Sequence, residues 1–400
     1  MKRIPCRFTM MALFTLLCAS SVSAVAATHY YVVGNNNVGG PNTVSVFQVS
    51  GTSLVPVTTV STGGSGTGGG YFAEARQSIA QDGSNICVFA GNAGSGDIAA
   101  MKVIGTSPYL SIVGNYFSGD GDTATNDGLG ITVTGGYLYA NYTGGTTSPA
   151  IGVWKIGAGC TLTYVTHLLT GGLNGGIIDG LVATPNGKYL VAGYGDGSVG
   201  SYAIGGGSIS LIGQEIIAGN TVGAGAYAGS VAISSNGKWA IFGDFSPSNN
   251  TQLDVAAIGS NGALAPTTTY GGTGSLGAGV DSNGIQLSPD NRFIYVVDSY
   301  SGQETTVAFN ATTGFVSYPH ACLTNLKGYN VNWLFASQPA VVATAGAGGG
   351  LYISEGFLTT NSYIALLGIN SSTGCATEAP NSPFVDTAGG SLESITSYVH

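Results

Sequence analysis

Short apolar runs broken by polar turn sequences recur along most of the chain, and their spacing is the first constraint on the fold. Five turn segments carry the pattern: Ser78-Ile79-Ala80-Gln81-Asp82-Gly83, Ile131-Thr132-Val133-Thr134-Gly135-Gly136, Val182-Ala183-Thr184-Pro185-Asn186-Gly187, Ala232-Ile233-Ser234-Ser235-Asn236-Gly237 and Gln286-Leu287-Ser288-Pro289-Asp290-Asn291. They lie about fifty residues apart. Each leads into a second apolar stretch, over residues 86–89, 137–140, 189–192, 239–242 and 293–297. Proline sets φ at the first corner of such a turn, and Asn, Asp or Gly accepts the left-handed conformation at the next, so each segment reads as a hairpin. A further alternating strand follows, as over 197–204, then a glycine turn and a last strand such as 208–212.

Four strands per unit of this length describe a propeller blade. The seventh unit falls within 332–390, where 351–354 and 362–369 supply its middle strands. The first begins abruptly at Tyr30 without an innermost strand, while a spare strand stands at 391–399. Pairing the two closes the ring and removes exposed sheet edges. The predicted fold is therefore an all-β, seven-bladed β-propeller of four-stranded antiparallel blades. It forms one domain over 28–400.

The amino terminus reads differently. Lys2, Arg3 and Arg7 precede an apolar run over 8–17 and a small-residue stretch over 19–27. That order is a secretory signal peptide over 1–27, with Val22-Ser23-Ala24 or Val25-Ala26-Ala27 at the cleavage site. A bilayer span needs about twenty apolar residues, which neither this run nor any later one provides. The expected location is periplasmic or secreted. Export removes Cys6 and Cys18 and leaves Cys87, Cys160, Cys322 and Cys375, which can form two disulfides in an oxidising compartment. Three pairings are open; blade order favours Cys87 with Cys160 and Cys322 with Cys375, since each pair then joins neighbouring blades.

Composition supports strands and turns over helices: 67 glycines stand beside abundant Ser, Thr, Asn, Val and Tyr, and only 7% of residues are charged. Loss of the leader lowers the basic residues from 10 to 7 against 19 acidic ones, a formal charge of −12. Of the arginines only Arg76 and Arg292 remain, so no patch able to neutralise many phosphates can form, and nucleic acid is excluded as a partner. The expected chain is a monomer without a membrane span.

The segment Leu287-Ser288-Pro289-Asp290-Asn291-Arg292-Phe293-Ile294-Tyr295-Val296, together with Gly374-Cys375-Ala376-Thr377-Glu378 and Asn381-Ser382-Pro383-Phe384, resembles the lactonase-type seven-bladed propellers. That group includes 6-phosphogluconolactonase-like proteins and bacterial propellers with Tyr-Val-Thr-Asn-like repeats. The resemblance implies a His and an Arg before an inner strand and a Glu at the end of the next, gathered at one mouth. This chain departs from it: blade 6 reads Asn283, Gly284 and Ser299, and blade 5 reads Gly229, Ser230 and Phe245. No catalytic set is assigned.

Other chemistry has little support. His29, His167, His320 and His400 show no metal-ligand spacing, and the glycine run over 63–70 lacks the Lys and helix of a phosphate loop. Asp120, Asp122 and Asp127 fail the EF-hand spacing at Ala124 and Thr125. Superposing the blades does place an acidic set near one mouth: Asp127, Asp179 and Asp281 before inner strands, and Asp244, Asp298 and Glu355 near the ends of second strands. Tyr142 and Tyr194 are equivalent to the latter, and Arg76 takes the place of the family histidine in blade 2. Such a set would hold Ca²⁺ or attract a cationic ligand, whereas its bland reading is carboxylates capping nearby backbone. The function expected is an exported binding or scaffold ring with a small-molecule, glycan or protein ligand. The alternative is a divergent lactonase or other hydrolase using the acidic mouth. Amino-terminal sequencing of the exported protein is expected to begin between Val25 and Thr28; an intact Met1 in the exported fraction would remove the leader reading.

Overall fold

The computed structural model describes residues 29–68, 78–117, 130–142, 149–217, 227–245, 252–271, 282–298, 302–327, 335–336, 340–342, 350–356, 362–389, 392 and 394–400; the leader expected over 1–27 lies outside the described residues. The strands form seven antiparallel sheets. Blade 1 joins Tyr30–Asn35, Gly40–Ser50 and Ser53–Gly66 to Ser394–Val399, and blade 2 holds Ile79–Gln81, Cys87–Asn92, Asp97–Val103 and Leu110–Phe117. Blade 3 holds Ile131–Thr134, Tyr137–Tyr142, Ala150–Ile156 and Leu162–Leu169, and blade 4 holds Ile178–Ala183, Tyr189–Tyr194, Ser198–Gly205 and Ser208–Ile216. Blade 5 follows with Tyr227–Ile233, Trp239–Phe245, Gln252–Ala257 and Thr268–Gly271, and blade 6 with Ser282–Leu287, Phe293–Asp298, Gln303–Asn310 and Phe315–Asn325. Blade 7 is built on Gly350–Gly356 and Ser362–Ile369; two short pieces, Phe335–Ala336 and Ala340–Val342, make its inner edge, and Ala376–Glu378 and Phe384–Asp386 its outer one.

The carboxyl-terminal strand closes the ring as the repeat predicts, although it starts at Ser394 instead of 391. Val33 lies opposite Thr396. His29 N–H donates to His400 O at 2.7 Å and His400 N–H returns to His29 O at 2.9 Å. Second strands also outrun their apolar segments, reaching Asn92, Tyr142, Tyr194, Phe245 and Asp298. Backbone pairing does not need an apolar side chain, so Gly91 and Gly193 stay in the ladder. Among the described residues no helix is long and apolar enough to cross a membrane.

Alternation along the strands serves two interfaces at once. In blade 1, Tyr31, Val33, Val44 and Val46 pack toward blade 2, while Val32, Phe47 and Leu54 pack toward blade 7. The same division repeats around the ring, giving one apolar cluster between each pair of neighbours. Full burial of a Val, Leu, Ile or Phe side chain is worth roughly 1.5–3 kcal/mol, so these interfaces carry most of the favourable folding energy.

The turns between first and second strands of blades 4, 5 and 6 are stapled by one repeated device. Thr184, Ser234 and Ser288 donate a hydroxyl to Asn186, Asn236 and Asp290 at 2.8, 2.7 and 2.7 Å. The same hydroxyls accept N–H bonds from Tyr189, Trp239 and Phe293 at 3.1, 3.0 and 3.0 Å. Gly187, Gly237 and Asn291 take the positive φ that the motif predicts.

The ring that opens each second strand then reaches the neighbouring blade. Tyr137, Tyr189, Trp239 and Phe293 lie over Gly207, Gly262, Gly314 and Gly374, which sit in the turn between third and fourth strands of the next blade. Tyr189 Oη donates to Ser260 O at 2.7 Å and Trp239 Nε1 to Ala311 O at 2.9 Å. In blade 2 the equivalent position is Cys87, and it is bonded to Cys160 in the corresponding turn of blade 3. Cys322 of blade 6 is bonded to Cys375 in that turn of blade 7. Both pairs have Cα atoms 5.5 Å apart, within the usual disulfide range, and both join neighbouring blades as blade order favoured.

Gly314 has φ +74, and a Cβ there would enter the Trp239 ring; Gly51 has φ +60 but faces open space. Gly314→Ala is therefore expected to cost roughly 2–4 kcal/mol, and Gly51→Ala only the backbone share of about 1–2 kcal/mol. Urea unfolding of the two variants measures the difference, and equal losses would show that the ring contact carries no weight.

Candidate functional site

Each inner strand starts, and each second strand ends, on the same side of the ring, opposite the stapled hairpins. The positions closing the second strands there are Asn35, Asn92, Tyr142, Tyr194 and Asp298, with Asp244 and Glu355 one residue before the strand ends in blades 5 and 7. The acidic and aromatic residues singled out in the sequence thus share one face by backbone placement. Arg76, Asp127 and Asp281 lie outside the described residues, as do the side chains of Asp244, Asp298 and Glu355.

The three remaining site residues have described side chains, and all are buried, Tyr142 and Tyr194 within the apolar clusters between blades. The Tyr142 ring packs 5.9 Å from that of Trp154. Next to it, Asn141 Nδ2 donates to Ile178 O of blade 4 at 2.8 Å. Asp179 is 3% exposed and lies beside Gly195, where a Cβ would come within 3.2 Å of its carboxylate. Tyr194 is fully buried, with its hydroxyl against that of Tyr202, which in turn meets Thr170 Oγ1 at 2.8 Å. Burial raises the pKa of the Tyr194 phenol, and hydrogen bonds from Tyr202, Gln214 and Thr170 oppose it.

Blades 1 and 2 hold a polar network at the same level that sequence reasoning missed. Asn35 Nδ2 donates to Ser78 Oγ at 2.9 Å and to Gly91 O at 2.8 Å. Asn42 Nδ2 donates to Asn35 Oδ1 at 2.8 Å and to Asn92 Oδ1 at 3.0 Å, and Thr62 Oγ1 reaches Asn92 Oδ1 at 2.7 Å. The Nδ2 groups of Asn92 and Asn115 both donate to Asp97 Oδ1, at 2.6 and 2.7 Å, and Ser95 Oγ donates to Asp97 Oδ2. The repeated Gly-Asn ends of the two second strands, Gly34-Asn35 and Gly91-Asn92, were the available signal.

Three further buried acids rely on uncharged donors. Burial would raise the pKa of Asp196, but the Ser198 hydroxyl and the N–H groups of Asn174, Ser198 and Gly176 outweigh it and hold the carboxyl below its usual range. For Asp386 burial wins and the carboxyl rises, against weaker support from Ser45 and Ala388 N–H. Glu304 is the extreme case: burial pushes its carboxyl up to about 8, and Thr306 Oγ1, at 2.9 Å, is the donor it keeps. The Tyr295 phenol is raised by its own burial and by Glu304. Among the described residues no group of three His, Cys, Asp or Glu side chains is arranged to hold a metal ion. His167 stacks on Tyr164, and His29 pairs with Gln48.

With this architecture the chain is a seven-bladed β-propeller, and its solved neighbours include 6-phosphogluconolactonase-like rings. A proposed 6-phosphogluconolactonase of Bacteroides uniformis is similar over 93% of this chain and 99% of its own, at 13% identity and a TM-score of 0.67. The periplasmic gluconolactonase PpgL of Pseudomonas aeruginosa matches over the same shares at 14% identity and a TM-score of 0.67. A hypothetical selenium-binding protein of Sulfolobus tokodaii is similar over 94% of both chains, at 9% identity and a TM-score of 0.63. At such identities the likeness defines the fold, which different functions share. The sequence matches no known family profile and no curated protein.

Glu304 gives this face a pH signature. The unfolded chain loses this proton near pH 4.5 and the folded chain near pH 8, so between those values the folded form binds the extra proton. Stability from this group is full below the lower value, falls as pH rises through the window and is level above it. Glu304→Gln is expected to flatten that fall, and to exceed the parent at pH 8 by on the order of a few kcal/mol. Urea midpoints between pH 5 and pH 8.5 test it; parallel curves would show that Glu304 titrates normally.

Proposed function

We propose that the chain is an exported, single-domain ring, secreted or periplasmic, that binds a ligand through one face and carries out no chemistry at its acidic mouth. The observation that carries this reading is the use already made of the mouth positions. Asn35 and Asn92 join blades 1 and 2 through hydrogen bonds, and Tyr142 and Tyr194 are buried in the apolar clusters between blades 2 and 3 and between blades 3 and 4. A group that catalyses acid–base chemistry has to meet a substrate, whereas these side chains meet a neighbouring blade. Export is supported by the leader sequence and by two disulfides between blades. A rigid ring with variable loops is a suitable binding platform.

The second reading is a divergent lactonase. It is favoured by the periplasmic gluconolactonase of Pseudomonas aeruginosa, whose whole length follows this fold. In that case Asp244, Asp298 and Glu355, which stand at or next to the ends of second strands on one side of the ring, would supply acid and base.

Two assays on the mature protein separate the readings. Glucono-δ-lactone hydrolysis is expected to proceed at its spontaneous rate, and a thermal-shift screen of sugars, lactones and divalent cations is expected to find a ligand that raises Tm without turnover. Accelerated hydrolysis abolished by Asp298→Asn or Glu355→Gln would establish the lactonase instead. A calcium-dependent Tm rise lost in the same variants would assign the mouth to a cation.

A further inference from the structure

The stapled hairpins occupy the side of the ring opposite the acidic mouth, and five of the six basic residues among the described ones stand there; the sixth, Lys327, follows a strand that ends on the mouth side. Lys188, Lys238 and Arg292 directly precede second strands, and Lys102 and Lys155 stand near the ends of third strands, which finish on the same side. Arg292 is neutralised by Asp290 at 2.6 Å. Lys188 and Lys238 are exposed and make no ion pair among the described residues. The Asx turns hold their backbones in equivalent positions on adjacent blades, each N–H donating to Asn186 or Asn236 Oδ1 at 3.0 Å.

Between these two hairpins lies a groove of about 410 Å³, within the range of small-ligand clefts. Its walls include Asn186, Lys188, Tyr189, Lys238, Trp239 and Ser260. The polar tips of both rings are already engaged, Tyr189 Oη on Ser260 O and Trp239 Nε1 on Ala311 O. What the rings present to the groove is therefore carbon surface. The groove combines two ammonium groups, aromatic carbon and an amide, which suits a saturated ring with C–H faces and carboxylate substituents. The overall charge of the chain does not oppose this. Fields are screened over about 8 Å at physiological salt, so carboxylates across the ring count for little against two ammoniums at contact.

We propose that the groove between the hairpins of blades 4 and 5 is a subsite for an acidic glycan, with Lys188 and Lys238 each taking one carboxylate of a uronic-acid chain and Tyr189 and Trp239 flanking the sugar. The proposal rests on the reading of the chain as a binding ring and names its face and ligand class.

Calorimetric titration of the mature protein with trigalacturonate tests it, beside neutral maltotriose and oligoglutamate. Binding of trigalacturonate is expected to weaken as sodium chloride is raised, and to fall about tenfold or more in K188Q/K238Q. It should persist in K102Q/K155Q, which removes equal charge from the same side. Both pairs are exposed, so unchanged Tm values would confirm that folding is intact. No heat with trigalacturonate, equal loss in both double variants, or equal affinity for oligoglutamate would each overturn the assignment. A different ligand from the thermal-shift screen that raises the Tm of K188Q/K238Q, together with no heat from trigalacturonate, would overturn this groove while leaving the ring a binding protein.

Discussion

Everything in this fold depends on the contact between one blade and the next. A single four-stranded sheet with apolar residues on both faces cannot stand alone in water, and the ring answers by giving every face a neighbour. Val32 and Val33, adjacent in sequence, serve different interfaces because side chains alternate across a strand. The aromatic ring over a turn glycine adds a directional element to this packing. It fixes where one blade meets the next, and the Cys87–Cys160 disulfide does covalently in blade 2 what Tyr189 and Trp239 do by contact. One geometric slot thus accepts two chemistries.

The second theme is how a strongly acidic chain buries its carboxylates with so few cations to pair them. Asp97 is held by amides and a hydroxyl, Asp196 by backbone N–H groups and a hydroxyl, and Glu304 by one hydroxyl. Each buried ionised group needs such partners, and the quality of the set decides the charge state. Asp196 has enough donors to stay ionised, whereas Glu304 does not, and it keeps its proton. The same face therefore contains acids of opposite character.

The repeat, the turn chemistry and the ring closure were legible because they depend on local rules: hydroxyl, proline, Asn and glycine at fixed offsets, with apolar strands between. The disulfides followed once the blades were numbered. The limits of the second strands were not legible, because Gly91 and Gly193 pair through backbone alone. Nor was the fate of Tyr142, Asp179 and Tyr194. Superposing blades places a residue at a strand end but does not say whether its side chain enters the channel or the neighbouring blade. That depends on room left by residues on or beside the neighbouring strand, such as Gly195 beside Asp179 or Tyr202 beside Tyr194. The asparagine network of blades 1 and 2 was hidden for the same reason, since Asn42, Asn92 and Asn115 meet only in the folded sheet pair.

The closing strand has a consequence for timing. Tyr30–Asn35 and Ser394–Val399 belong to one sheet, although one lies near the beginning of the chain and the other at its end. As the polypeptide emerges, blades 2 to 6 can dock on their predecessors in order, each sealing the apolar face left by the last. Blade 1 waits throughout with its inner edge unpaired. The six-residue strand Ser394–Val399 is thus the keystone, and the circle cannot close until it has been made and has come back to the blade that was formed first.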